Sequence, residues 1–215
     1  MVQSLYTDRE NAAAKLIPLL EKYRGNNAAV ILGLSGGGTM LASYITKELL
    51  LPLDVIVVKK IGAPANNEFA IGAVTEDVEE FFDWTAKEDI CGSEKYIHEV
   101  LEQKRKEVAA RAFAYRGVRP KENIKGKIAI LVDDGIATGS TMRAAIRSAK
   151  KRGAERVVVA VPVASIDSLL HIRTEVDEVI CPYSSSFFPF EGGFYEHFPQ
   201  IEDGAVLKML RNKTK

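Results

Sequence analysis

The 215-residue sequence has little of several features that mark particular classes of protein. It has two cysteines, Cys91 and Cys181, which form no motif and therefore predict free thiols, as in a reducing cytoplasm. No apolar run approaches the roughly 18 residues that a membrane helix needs, and the polar residues 1–10 show no signal-peptide pattern. We therefore expect a cytoplasmic protein without a membrane partner.

An excess of charge of either sign is also lacking. Lysine and arginine number 29, as do aspartate and glutamate, so there is no electrostatic case for a nucleic-acid partner or an anionic membrane surface. There is no internal repeat or low-complexity tract. A hydrophobic content of 47% and a charged content of 27% are ordinary for a globular protein, and the length suits one domain over residues 1–215.

What the sequence does have is one stretch, residues 128–141, around which the chain is organised. Its first five residues are apolar and rich in branched side chains, which predicts a strand buried on both faces of a parallel sheet. Asp133 and Asp134 follow at once, then a loop of small and hydroxylated residues, and helical spacing begins at Ser140. The loop therefore joins the carboxyl end of a strand to the amino end of a helix, where ligands bind in open α/β sheets.

The chemistry of this loop suits an anion beside a hydroxylated group. Free amides and the helix dipole favour a phosphate, and Gly135 and Gly139 let the backbone approach it closely. The two carboxylates on the upstream edge can accept hydrogen bonds from hydroxyl groups, so a sugar phosphate fits. The spacing excludes a Walker A loop, because three residues separate the glycines and no lysine follows them.

Four further apolar runs alternate with helical segments and predict the remaining strands of a mostly parallel α/β sheet. They are residues 28–34, 53–58, 156–163 and 178–181. Residues 69–74 predict an edge or hairpin strand, and Thr7 begins a capping box for a helix to about Tyr23. Lys59 and Lys60 follow the strand at 53–58, which places them at the ligand-binding edge of the sheet.

A glycine turn follows the first strand and allows two functional interpretations. Gly33-Leu34-Ser35-Gly36-Gly37 matches the nucleophile elbow of serine hydrolases, with an acid and then His171 or His197 later in the chain. Consecutive glycines are also suited to binding an anion through backbone amides. A turn required only for packing of the helix on the strand is a third interpretation.

The segment Val132–Thr141 resembles the phosphoribosyl-pyrophosphate (PRPP) signature of the type I phosphoribosyltransferases. The resemblance implies a core of about 25–182 with a small hood of about 1–24 and 183–215. It implies an Mg²⁺-dependent transfer of the 5-phosphoribosyl group from PRPP to an acceptor, a nucleobase by expectation, with release of pyrophosphate. The 5-phosphate would lie on Gly135, Ile136, Ala137, Thr138, Gly139, Ser140 and Thr141.

The resemblance also implies roles for residues outside that loop. Asp133 and Asp134 would bind the ribose hydroxyls and hold Mg²⁺ indirectly, through those hydroxyls or water. Ser35, Gly36, Gly37, Lys59 and Lys60 would bind pyrophosphate. The tail Phe187–Gln200 is similar to the hood of purine-type enzymes, where Phe194 or Tyr195 would stack on the base; packing of these rings on the core is the alternative.

Two departures from the family pattern limit the prediction of the acceptor. Ser35 stands where related enzymes often carry arginine or lysine, and Ala137 stands where hypoxanthine-guanine enzymes carry the aspartate near purine N7. The segment Lys59–Pro64 and the charged helix after Ser93 resemble bacterial and archaeal predicted phosphoribosyltransferases without an assigned acceptor. The general base is therefore unassigned, and a sensor that binds PRPP without transfer stays open. A homodimer is a further expectation.

Overall fold

A computed structural model describes residues 4–63, 70–82, 94–188 and 190–211, without the side chains of residues 94 and 95. The α-helices are α1 (Arg9–Leu16), α2 (Gly37–Leu49), α3 (Glu94–Arg116), α4 (Ser140–Lys151), α5 (Ile166–Arg173) and α6 (Asp203–Arg211). The strands are β1 (Ala29–Leu34), β2 (Leu53–Ile56), β3 (Val58–Gly62), β4 (Ala70–Thr75), β5 (Glu80–Phe82), β6 (Ile128–Val132), β7 (Arg156–Ala160), β8 (Val163–Ser165), β9 (Glu178–Ile180) and β10 (Tyr183–Ser185). Two 3₁₀ helices cover Ile17–Tyr23 and Glu191–Phe194.

The central sheet has five parallel strands in the order β2-β1-β6-β7-β9. The interior strands β1 and β6 are buried, apart from the half-buried Ile128, because helices cover both faces, which explains their continuous apolar sequence. One core cluster packs α1 and α2 on one face, and another packs α4 and α5 on the other. The predicted α/β fold with a mostly parallel sheet flanked by helices is therefore confirmed.

The first helix differs in detail from its prediction. Its cap is Asp8 rather than Thr7, because the Asp8 carboxylate accepts the backbone N–H of Asn11 at 2.8 Å. The α-helix ends at Leu16 and continues as a 3₁₀ helix that has Pro18 in its first turn. Leu16, Leu20 and Tyr23 are buried along this segment, so helical structure reaches Tyr23 as predicted, although the predicted cap was wrong.

The predicted strand at 53–58 is in fact divided between two sheets. β2 ends at Ile56 in the parallel sheet, and β3 begins at Val58 in an antiparallel sheet of order β3-β4-β5. Lys59 and Lys60 therefore lie inside a hairpin strand that begins just beyond the end of β2, rather than directly at the exit of a parallel strand. The alternation of a strand sends their side chains to opposite faces.

The amino-terminal segment and the carboxy-terminal tail pack together above the sheet. Tyr6 forms an isolated bridge with Tyr195, and the backbone N–H groups of Leu5 and Tyr6 both donate to the Phe194 carbonyl. β10 pairs with β8, which attaches the start of the tail to the end of the core. These contacts join the two segments predicted to form the hood. The resemblance to type I phosphoribosyltransferases also implies a mobile loop over residues 62–93 that closes on the reacting centre; of these, residues 64–69 and 83–93, which include Trp84, lie outside the described residues.

None of the helices in the described ranges is both long and apolar enough to cross a membrane.

Candidate functional site

The loop between β6 and α4 forms one wall of a cavity of roughly 180 Å³ at the carboxyl edge of the sheet. The other walls come from the β3–β4 hairpin and from the tail. The lining residues are Lys60, Ala70, Asp133, Gly135, Ile136, Ala137, Thr138, Gly139, Ser140, Thr141, Met142, Phe190 and Glu191. The structure thus brings the whole predicted phosphate loop, one of its two acids and one of the two lysines to a single cavity.

Several backbone contacts hold the loop in place. The Ile136 N–H donates to the Val163 carbonyl at 3.0 Å, and the Ser165 N–H donates back to the Ile136 carbonyl at 2.8 Å. The Ser168 hydroxyl donates to the Ala137 carbonyl at 2.5 Å. Gly139 precedes α4 with φ +80°, a conformation that L side chains rarely adopt. The first turn of α4 lines the cavity with Ser140, Thr141 and Met142. Its amides have no intrahelical acceptors, although the Ser140 N–H lies 3.5 Å from the Thr138 hydroxyl, and such a helix start favours an anion.

Asp133 lies at the edge of this cavity. Its carboxylate accepts the backbone N–H of Asp134 at 2.9 Å, which orients it at the end of β6. Burial, and then the negative charge of Asp134, raise the pKa of Asp133 well above its usual range. A carboxylate that is poorly solvated interacts strongly with any positive charge or hydroxyl group brought to it. Asp133 is thus placed to interact with a polar ligand in the cavity.

Asp134 has different surroundings and is not among the residues that line the cavity. Its carboxylate accepts from Arg9 at 2.9 Å from both Nε and Nη2, and the two side chains are 12% and 6% exposed. Burial raises the pKa of Asp134, while the charge of Arg9 acts in the opposite direction. The Tyr195 hydroxyl donates to the Asp134 carbonyl at 2.6 Å. The predicted pair of acids therefore separates into one that faces the cavity and one that anchors α1.

The glycine turn at 35–38 lies beside this buried ion pair. A Cβ on Gly37 would lie 1.9 Å from Asp134 Oδ2 and 3.0 Å from Arg9 Nη2. A Cβ on Gly38 would lie 2.6 Å from the Val132 carbonyl oxygen, and one on Gly36 would lie 2.9 Å from the Ile201 carbonyl oxygen. Close packing alone therefore requires glycine at these positions, and the pyrophosphate role of Ser35, Gly36 and Gly37 stays a prediction.

Ser35 has the backbone of a nucleophile elbow but not its surroundings. Its φ of +48° is the positive value that such a turn produces. Its hydroxyl, however, donates to the Val58 carbonyl at 2.7 Å. Within the described ranges, none of the hydrogen bonds of Ser35 involves a histidine, so the geometry lacks the base that a serine nucleophile needs.

The two lysines of β3 have different environments. Lys60 lines the cavity opposite the phosphate loop. Lys59 points to the other face of the hairpin, where its Nζ lies 3.6 Å from a carboxylate oxygen of Glu107 on α3. A pyrophosphate contact therefore stays a prediction for Lys60, whereas Lys59 holds the hairpin against α3.

The two aromatic residues predicted to stack on a base are buried in the core instead. Phe194 is 0% exposed and packs on Phe188, with ring centroids 4.8 Å apart. Tyr195 is 5% exposed and packs between Tyr6 and Phe198. With no open ring face toward the cavity, the stacking prediction for these two residues is wrong, and the alternative of packing on the core is correct.

Three residues at the site had no signal in the sequence that pointed to them. Arg9 arrives from α1 and pairs with Asp134 across most of the chain. Phe190 is 58% exposed and borders the cavity, and Glu191 beside it packs over Gly135. The Gly192-Gly193 pair marked the tail as a part of the site in the sequence. The side chains that reach the cavity, Phe190 and Glu191, come just before this pair.

Comparison of the sequence with known proteins identifies the family of the chain. A sequence model described as the phosphoribosyl transferase domain matches residues 2–197. The chain belongs to this family. Two curated relatives from Mycobacterium tuberculosis strains CDC 1551 and H37Rv, provisionally named phosphoribosyl transferases, are each 35% identical over 206 residues, 96% of this chain. The chain spans about half the length of these relatives, 46%.

Solved structures show the same phosphoribosyl transferase fold. TT1426 from Thermus thermophilus is 37% identical with a TM-score of 0.77, over 96% of this chain and 97% of that one. The purine phosphoribosyltransferase from Pyrococcus horikoshii is 20% identical with a TM-score of 0.50, over 94% of this chain and 97% of that one. The second likeness concerns the fold alone.

Proposed function

We propose that the chain transfers the 5-phosphoribosyl group of PRPP to a nitrogenous acceptor, with Mg²⁺ and with release of pyrophosphate. The observation that carries this proposal is the cavity at residues 135–141, in which the open amino end of α4 faces Asp133 and Lys60. This combination matches a ligand with a phosphate at one end, hydroxyl groups beside it and further negative charge at the other end.

Each wall of the cavity has a distinct task in this proposal. The amides and hydroxyls of Thr138, Ser140 and Thr141 bind the 5-phosphate at the helix terminus. Asp133 accepts hydrogen bonds from the ribose hydroxyls, and its charge stabilises the positive charge that develops on the ribosyl ring as the pyrophosphate bond breaks. Lys60 attracts the departing pyrophosphate.

The donor set fits an Mg²⁺ ion that is carried mainly by the substrate. Within the described ranges, no group of three or more histidine, cysteine, aspartate or glutamate side chains forms a cage for a metal. Mg²⁺ typically binds through one or two carboxylates together with phosphate oxygens and water, and Asp133 offers such a carboxylate at the cavity edge. When bound, the ion neutralises the charge of the pyrophosphate leaving group.

Arg9 neutralises the carboxylate behind the glycine turn, although it does not replace a basic residue at position 35. Its guanidinium lies directly behind the glycine turn, 3.0 Å from the position of a Cβ on Gly37. Since Arg9 balances the charge of Asp134 there, the turn does not repel an anion. The backbone amides of Gly36 and Gly37 are then able to contribute to binding of pyrophosphate.

The proposal is tested by pyrophosphate release from PRPP in the presence of Mg²⁺ and one acceptor at a time from adenine, hypoxanthine, guanine, uracil and orotate. We expect at least one acceptor to raise the rate above that with PRPP alone, and we expect excess EDTA to abolish the increase. Binding of PRPP with no acceptor-dependent release from any member of the panel would instead support the sensor.

The same assay separates the transferase from the serine hydrolase. Replacing Ser35 with alanine removes a hydroxyl that is bonded to the Val58 carbonyl, so we expect less than a tenfold change in pyrophosphate release. A hydrolase that used Ser35 would lose essentially all its activity on a p-nitrophenyl ester in this variant. The cytoplasmic location, the absence of nucleic-acid and membrane partners, and the homodimer stay predictions from the sequence.

A further inference from the structure

The cavity contains a second acid that the proposed transferase chemistry does not use. Among the described residues that line it, the titratable side chains are Lys60, Asp133 and Glu191. Asp133 follows β6 and faces the ribosyl site. Glu191 comes from the tail, at the start of the second described 3₁₀ helix, and its side chain lies against the loop at Gly135 and Ala137. The loop after β6 carries an alanine at position 137 and has no acidic residue after Asp134.

Glu191 is held against the loop by close packing. A Cβ on Gly135 would lie 2.8 Å from Glu191 Cγ and 3.0 Å from Glu191 Cβ. Glycine at 135 is therefore what allows this side chain to cross over the loop. Gly192 leaves room for the ring of the neighbouring Phe190, because a Cβ on Gly192 would lie 2.8 Å from Phe190 Cε2. Glu191 and Phe190 together form a wall with one carboxylate and one exposed ring, and the carboxylate lies beside Ala137, the position that carries no acid in this chain.

The charges around Glu191 keep it able to accept a proton. Burial is the largest influence and raises the pKa of Glu191, and the charge of Asp134 acts in the same direction; the backbone amide of Glu191, the charge of Lys60 and the backbone amide of Ala137 act to lower it. The charged groups around it are thus Asp133 and Asp134 at the end of β6 and Lys60 on the hairpin. A carboxylate with a raised pKa is a stronger base than one in water and is well suited to general base catalysis near neutral pH.

We propose that Glu191 is the acceptor-side catalytic residue, which binds an N–H group of the acceptor and takes its proton. This inference rests on the proposed transferase function. A bond forms between the acceptor nitrogen and C1 of the ribosyl group, and the bond between C1 and the pyrophosphate oxygen breaks. The proton of the nitrogen passes to the Glu191 carboxylate, and the bond electrons leave with pyrophosphate.

The same wall defines the chemical class of the acceptor. A carboxylate binds hydrogen-bond donors, and the exposed ring of Phe190 offers a face to a planar group. Glu191 itself is negatively charged when it acts as a base, and the charge of Asp134 acts on it from behind the loop, so a negative charge on the acceptor next to Glu191 is disfavoured. The acceptor is therefore a neutral or cationic nitrogen heterocycle with an N–H group, and anionic acceptors such as orotate are selected against.

Direct binding measurements with a panel of nucleotides test this assignment before the acceptor is identified. Ribose 5-phosphate, AMP, IMP and UMP are titrated calorimetrically into the wild-type protein, E191Q and E196Q. Glu196 is an exposed acid of the same tail and serves as the matched control. We expect at least one nucleotide to bind the wild type ten times more tightly than ribose 5-phosphate. E191Q should lose most of that difference with unchanged affinity for ribose 5-phosphate, whereas E196Q should keep it.

Turnover with the best acceptor gives the second readout. We expect E191Q to lower kcat by about 100-fold or more, in the range of a lost general base, and E191D to retain more activity than E191Q. Wild-type kcat in E191Q, an equal loss of ribose 5-phosphate and nucleotide affinity, or no nucleotide that binds better than ribose 5-phosphate would overturn the assignment. Failure of the wild type to bind PRPP would instead contradict the transferase function itself.

Discussion

Replacing Arg9 with methionine is expected to lower the free energy of unfolding by about 3 to 5 kcal/mol, the usual cost of breaking a buried ion pair by removing one partner. Methionine keeps most of the side-chain volume but leaves the Asp134 carboxylate buried without its cation. The pKa of Asp134 is already raised by burial and rises further without Arg9. Because the protonated acid is neutral, the deficit should shrink as the pH falls. Urea unfolding at pH 7.5 and pH 5 measures both effects.

Two control variants identify the cause of this loss. Arg24 pairs with Glu21 on the surface, with side chains 42% and 54% exposed, so Arg24→Met should lower the stability far less than Arg9→Met, because solvent screens an exposed ion pair. The double variant Arg9→Met, Asp134→Leu should recover much of the loss, because it leaves no buried unpaired charge. Equal stability of the Arg9 and Arg24 variants would contradict the structural role of the pair.

Replacing Asp133 with asparagine is expected to slow phosphoribosyl transfer by about 100- to 1000-fold, the usual effect of removing one electrostatic contact to a transition state. Asparagine keeps the shape and a hydrogen-bond acceptor but lacks the charge that stabilises the ribosyl cation. Pyrophosphate release at saturating PRPP and acceptor measures the effect. The matched control is Asp167→Asn, which removes an exposed acid from the first turn of α5.

The same variant should be more stable than the wild type, which separates a catalytic defect from misfolding. The pKa of Asp133 is raised well above its usual range by burial and by Asp134. A raised pKa in the folded state means that the contribution of this group to stability is lost as the pH rises through that pKa. At pH 7.5 the neutral asparagine avoids this loss. A variant that is both inactive and less stable would contradict the assigned role of Asp133.

Local pattern was sufficient for the central part of the fold. The run Ile128–Val132 and the loop after it could be placed because a buried strand, a glycine-containing turn and a helix start each have a local signature. The same reasoning missed the change from the parallel to the antiparallel sheet before Lys59 and Lys60. Their strand belongs to an antiparallel hairpin, and pairing with a partner later in the chain leaves no local signal that marks a change of sheet.

The parts of the site that were missed depend on contacts between distant segments. In the sequence, Phe194 and Tyr195 fit rings that stack on a base as well as rings that pack on the core. Only their burial in the structure shows that they pack on the core. Arg9 and Glu191 reach the site from opposite ends of the chain. No sequence pattern marks either residue. Their importance follows only from the structure, in which Arg9 is buried against Asp134 and Glu191 packs on Gly135.

The most direct test of the central claim is calorimetric titration of PRPP with Mg²⁺ into the wild-type protein, Thr141→Val and Thr174→Val. Thr141 lines the phosphate loop, whereas Thr174 is exposed at the end of α5 and donates to the His171 carbonyl. We expect micromolar binding by the wild type and a loss of at least about tenfold in Thr141→Val, since hydrogen bonds to charged groups contribute about 1.5–3 kcal/mol. Thr174→Val should bind like the wild type. No binding of PRPP by the wild type, or equal affinity in all three proteins, would contradict the assignment of residues 135–141 as the 5-phosphate site.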